Sequence, residues 1–245
     1  MPEVITLGPF MIQGILLKWA IAGVVGFQAL KVFAKRKGLW DQRISDLIFQ
    51  ALFIVIIAWK VSPIVTNFPE IMRSPVSFLI IPGTREGLWL GFFISAMYVM
   101  RGLRKQNMNG WLFADLVVLG LIASITVFNV LGWRYGVQTS LPWGITITDR
   151  AYRYHPINVY MIIASFTVLI WTLKRPLSKI GQGIVAADAM LLLGVGMFIV
   201  SFFQPELFQF FGLSLTQWVA LSFAILGVAL SGVRQRVRSA TGADE

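Results

Sequence analysis

The 245-residue chain contains no cysteine, one histidine, and charged side chains at only 13% of its positions. Without cysteine the chain itself offers no disulfide, no thiolate nucleophile and no zinc–thiolate site. Scarcity of charge excludes more. A soluble fold of this length needs a larger polar surface, whereas 57% of these residues are hydrophobic and the mean hydropathy is +0.75. No linker, low-complexity block or long polar segment interrupts the sequence, so a single membrane domain over residues 1–238 is expected, followed by a disordered cytoplasmic tail at 239–245.

What is abundant is apolar sequence in runs long enough to cross about 30 Å of hydrocarbon at about 1.5 Å per residue. The fold class expected is therefore an all-α integral membrane protein, with seven spans near 12–34, 44–66, 87–103, 111–133, 157–173, 183–203 and 213–233. Residues 1–11 lack a basic segment, and no small-residue cleavage site follows the first span, which is expected to stay as a helix.

Loop charge sets the expected orientation, because cationic loops are retained on the cytoplasmic side. Alternate loops and the tail hold Lys35, Arg36, Lys37, Arg43, Arg101, Arg104, Lys105, Lys174, Arg175, Lys179, Arg234, Arg236 and Arg238. The opposite side has only Arg73, Arg85, Arg134, Arg150 and Arg153, spread over longer segments. The N-terminus is thus placed outside and the C-terminus in the cytoplasm, in a bacterial plasma membrane. The net charge of +10 sits in these clusters beside helix ends, which fits anionic lipid headgroups and not nucleic acid.

Asp46, Asp115 and Asp188 fall in the first turns of spans that begin at the cytoplasmic face. An anion there favours the positive end of the helix dipole, so all three are expected as caps, with Arg43 and Lys105 as available partners, ahead of a proton-relay role. On the outer side, residues 67–86 hold three prolines around the short apolar run Val76 to Pro82, which suits a re-entrant or interfacial segment. Residues 134–156 mix glycine and proline with Tyr135, Trp143, Tyr152 and Tyr154, rings that settle among headgroups.

Lys18 and Lys60 lie inside the first two spans, where a lysine costs about 2.5–3.5 kcal/mol to insert unless it has a partner, a wet cavity or a route to the interface. Snorkelling answers that need singly. If instead Lys18, Lys60, Arg85, Arg134 and Arg153 converge, they form a phosphate site at the outer leaflet. His155 either caps and orients its helix with Pro156 behind it or takes part in chemistry. Tyr160 is an interfacial anchor or a hydrogen-bond donor to a headgroup.

His155 opens the run His155-Pro156-Ile157-Asn158-Val159-Tyr160 at the outer start of the fifth span, after Leu141-Pro142-Trp143-Gly144. The chain here resembles the bacterial prolipoprotein diacylglyceryl transferases, which carry a His-Pro-x-Gln-Leu-Tyr-Glu motif at such a helix start and Pro-Trp-Gly upstream. The likeness extends to Ile5-Thr6-Leu7-Gly8-Pro9, to Ser45-Asp46-Leu47-Ile48-Phe49 and to Ala114-Asp115-Leu116-Val117. It implies transfer of a diacylglyceryl group from phosphatidylglycerol to the lipobox cysteine of a preprolipoprotein, with release of glycerol phosphate and without metal or organic cofactor. The implied partners are phospholipid and preprolipoprotein signal peptides or another membrane protein.

The departures concern the chemistry more than the fold. Ile125 stands at the position of the family's essential arginine, Trp133 at that of an acid, and Gly196 near that of a second arginine. Asn158 and Met161 replace Gln and Glu of the His-Pro motif, and Arg85-Glu86-Gly87 replaces a His-Gly-Gly. An aliphatic side chain cannot hold phosphate as a guanidinium does. Arg134 and Asn129 are the nearest substitutes. Three classes follow: a divergent transferase with a degraded or rearranged centre, a catalytically silent relative that binds lipid or a membrane partner, and, least favoured, a transporter.

Overall fold

The computed structural model describes residues 4–7, 10–74, 78, 81–147, 149, 151–205 and 209–240. The order is β1 (Val4–Leu7), β2 (Phe10–Gln13), α1 (Gly14–Arg36), α2 (Gln42–Val61), α3 (Pro63–Thr66), α4 (Phe68–Arg73), α5 (Arg85–Lys105) and α6 (Gly110–Val130). Then come β3 (Tyr135–Gln138), β4 (Tyr154–Pro156), α7 (Ile157–Leu173), α8 (Ile184–Ser201), β5 (Gln209–Phe210), β6 (Leu213–Ser214) and α9 (Leu215–Ala240).

Among the described residues, five helical segments are long and apolar enough to cross a membrane: Gly14–Arg36, Gln42–Thr66, Gly110–Val130, Ile184–Ser201 and Leu215–Gln235. The chain is a multi-pass membrane protein. Of the other two expected spans, α5 is charged at both ends and α7 has only 17 residues. The second span differs from one continuous helix: α2 stops at Val61, and helix resumes at Pro63, whose ring carries no N–H for the ladder. Most of the run from Val76 to Pro82 lies outside the described residues, as do Arg150 and residues 241–245. The helix in α9 continues through 239 and 240.

The chain divides into two compact units, Trp40–Gly110 and the remainder. In the first, α2 packs on α5 through a seam of small residues. Gly87, Gly91 and Ser95 are buried four apart, and a β-carbon on Gly91 would sit 3.0 Å from the Val55 Cα. Small residues on one face let membrane helices approach closely, and dispersion then holds them. Ser62 closes the same seam by accepting the Thr84 N–H at 2.9 Å.

In the second unit α8 lies against α7 and α9. Val118, Ile122, Val168, Ala186, Ala189 and Leu193 form one apolar cluster, and Ile157, Met161 and Val200 form another. Ile125 and Met197 pack against both. One end of this unit is closed by Asp115, which is 2% exposed. Its carboxylate accepts the backbone N–H groups of Gly181 (2.7 Å), Gly183 (3.3 Å) and Ala186 (2.8 Å). Asp115 therefore caps α8 from α6 and does not cap its own helix. The other two acids have partners of their own: Asp188 pairs with Arg175 at 3.3 Å, and Asp46 accepts a long bond from Gln42 at 3.4 Å. Arg43 binds Asp41, the residue that caps α2.

Among the described residues three short antiparallel hairpins occur, β1–β2 before α1, β3–β4 within the outer segment 134–156, and β5–β6 between α8 and α9. In β3–β4, Tyr135 pairs with Pro156 and Gln138 with Tyr154 across a bulge.

Candidate functional site at the His155 end

The end of the second unit opposite Asp115 gathers the C-terminus of α6, the N-terminus of α7 and the C-terminus of α8. The β3–β4 hairpin ties them together. Val137 N–H donates to the Phe203 carbonyl at 2.9 Å, and Ile157 N–H to the Arg134 carbonyl at 2.9 Å. Gly136 is required between them, because a β-carbon there would collide with the Phe203 carbonyl.

His155 is 6% exposed and does not cap α7. The cap position is occupied by Pro156, and the imidazole Nδ1 lies 2.9 Å from the Tyr160 hydroxyl. Trp143 Nε1–H donates to the same hydroxyl at 2.9 Å. A phenol that accepts from the indole still has its own proton to donate toward Nδ1. Phe203 covers the pair, with its ring 4.7 Å from His155 and 5.4 Å from Tyr160. Nε2 has no hydrogen-bond partner among the described residues.

Asn129, near the C-terminus of α6, is 5% exposed. Its Nδ2 donates to the Ile125 carbonyl at 2.8 Å, while its Oδ1 is buried without a partner among the described residues. One turn deeper, Ile125 fills apolar space between the two clusters, and Gly196 lets α8 close on Ala164 of α7. Both positions where the resemblance places arginine are therefore helix-packing positions. Trp133 is exposed and stacks on Tyr135 at 6.5 Å.

Among the cations of this unit, Arg134 is exposed, and its backbone N–H makes a long contact of 3.5 Å to Asn158 Oδ1. Arg153 reaches the Pro142 carbonyl at 3.5 Å, which holds the Pro142-Trp143-Gly144 turn near Tyr160. Lys18 comes to the same end. A β-carbon on Gly132 would lie 2.6 Å from Lys18 Nζ, so the ammonium rests just beyond the C-terminus of α6, where the helix dipole favours a cation. In the Trp40–Gly110 unit, Lys60 donates to the Ile81 carbonyl at 3.0 Å with the Phe78 ring 5.2 Å away. Arg85 begins α5, exposed, after the Thr84 cap.

The structure thus brings His155, Tyr160, Arg153, Arg134 and Lys18 to one end of one unit, and Lys60 and Arg85 to one end of the α2–α5 pair. Sequence reasoning missed Trp143 as a partner of Tyr160 and missed Phe203 altogether. The Pro-Trp-Gly turn upstream of the His-Pro pair was the available signal for the first.

The family model described as prolipoprotein diacylglyceryl transferase matches residues 2–233. A phosphatidylglycerol–prolipoprotein diacylglyceryl transferase of Dechloromonas aromatica is 26% identical over 97% of both chains. That of Idiomarina loihiensis is 28% identical over 82% of this chain and 79% of its own. A second such enzyme of Streptomyces coelicolor is 28% identical over 64% of this chain and 54% of its own. With the match covering nearly its full length, the chain belongs to the prolipoprotein diacylglyceryl transferase family.

Proposed function

We propose that this protein binds phosphatidylglycerol at the outer leaflet of a bacterial plasma membrane, in a diacylglyceryl transferase centre that has lost the cations of the transfer step. The relatives named for phosphatidylglycerol and prolipoprotein support the substrate class. The observation that carries the loss is Ile125, packed into two apolar clusters where a phosphate-holding arginine is expected. Departure of glycerol phosphate requires cations placed on the leaving oxygen, and an alkyl side chain supplies none.

In this reading seven spans form one membrane domain, with the N-terminus outside and the His155 end at the outer leaflet. Lys18, Arg134 and Arg153, all at one end of one unit, meet the lipid phosphate. Asn129 Oδ1 and His155 Nε2 meet headgroup hydroxyls, and Tyr160 orients the imidazole. The experiment is complementation of a strain depleted of its own transferase. The expected result is no rescue by protein that is present in the membrane. Full rescue, with mature lipoproteins formed, overturns the reading, and Arg134→Ala is then the first variant to make.

A further inference from the structure

We propose that the β5–β6 hairpin is a membrane wedge, whose Phe210 and Phe211 rings enter the headgroup–acyl boundary of the leaflet at the His155 end. The inference is independent of whether the protein transfers lipid. It starts from a turn whose residue does not suit its backbone.

Gln209 pairs with Ser214 and Phe210 with Leu213, leaving Phe211 and Gly212 as a two-residue loop. Both have positive φ, 51° and 73°, the pattern of a type I′ turn. Asparagine or glycine ordinarily fills the first place, because a left-handed backbone crowds a larger side chain. Here it holds phenylalanine, 83% exposed, with its ring edge-on to Phe210 at 4.5 Å between centroids. The turn is held rigidly against α9: Trp218 Nε1–H donates to the Phe210 carbonyl at 2.9 Å. A strained, firmly held aromatic pair left uncovered by the described residues calls for an apolar environment.

Lipid is the occupant that the surroundings favour. The hairpin sits in the connection 202–214 between α8 and α9, two segments apolar enough to cross the membrane, so it cannot leave the membrane boundary. Glu206 is the connection's single charged residue. Ile199 and Phe202 before it, and Leu215 and Val219 after it, are exposed and apolar, so the wedge continues the lipid-facing surface of both helices. The same connection carries Phe203 onto His155, which couples the depth of the wedge to the height of the site.

The absence of cysteine makes the test direct. Phe211→Cys carries a nitroxide label in nanodiscs of phosphatidylethanolamine and phosphatidylglycerol. Its collisions with oxygen and with a water-soluble nickel chelate are compared with those at Ile199→Cys, on the exposed face of α8, and at Lys179→Cys, in a polar loop. The expected result at 211 is loss of nickel collisions with oxygen collisions retained, close to the Ile199 position. Nickel collisions at the level of the Lys179 position, or loss of both kinds through cover by another protein copy, overturns the proposal. If the label at 211 disturbs the turn, Phe210→Cys gives the same reading.

Discussion

Two buried polar side chains toward opposite ends of α6, Asp115 and Asn129, are held in opposite ways. At the Asp115 end a carboxylate deep between helices has three backbone donors, and every one of them belongs to the loop and first turn of α8. At the His155 end, Asn129 Oδ1 is buried without a partner among the described residues. Satisfied polar groups in an apolar interior fix one arrangement, whereas unsatisfied ones leave free energy that a ligand can recover. Asp115 is thus a latch, and the Asn129 end is the receptor proposed above.

The largest effect expected from breaking this contrast is at the latch. Asp115→Ala leaves three N–H groups at the start of α8 without their acceptor, a loss of about 3–9 kcal/mol if each costs about 1–3. Thermal unfolding in detergent should show a large fall in midpoint. A fall no greater than that of a surface control would mean that the loop finds other acceptors. Ile125→Arg comes next: a guanidinium forced between the two apolar clusters costs about 2.5–3.5 kcal/mol. It should lower stability and should not create transfer activity, because Gly196 and Trp133 still lack their cation and acid.

At the receptor end the expected sign differs. Asn129→Leu removes an unpartnered carbonyl together with one bond to the Ile125 carbonyl, so stability should change by no more than about 1 kcal/mol in either direction. Phosphatidylglycerol retention, followed by native mass spectrometry, should fall. Strong destabilisation with retention unchanged would turn Asn129 into a second latch. The smallest effect lies in the other unit. The Arg43 guanidinium and backbone N–H hold the Asp41 carboxyl below its usual range. A depressed carboxyl pKa contributes stability above the ordinary carboxylate value and loses it as pH falls through the depressed one. Asp41→Asn should therefore flatten the acid limb of the unfolding midpoint below pH 4, by little, because the pair is exposed.

Much of the helical frame was legible in the sequence, since span length and apolarity are dictated by hydrocarbon thickness. The fifth expected span, 157–173, coincides with α7, while α5 runs two residues further at each end, because Thr84 and the terminal charges suit helix ends. The hairpins were not legible. Their strands are two to four residues long, too short for alternation to register, and their pairing depends on the helices they join. Asp115 was read as an acid on its own helix dipole; being buried, it serves the neighbouring helix. His155 and Tyr160 stand close in sequence, yet only the turn through Pro156 into α7 aims one ring at the other.

The central claim is binding at the His155 end without turnover, and one incubation tests both halves. Purified protein is mixed with labelled phosphatidylglycerol and a lipobox peptide, and lipid retention and peptide modification are followed together. The expected result is saturable retention, reduced by Asn129→Leu, with no diacylglyceryl peptide formed above the protein-free background. Steady accumulation of diacylglyceryl peptide by the unaltered protein would contradict it.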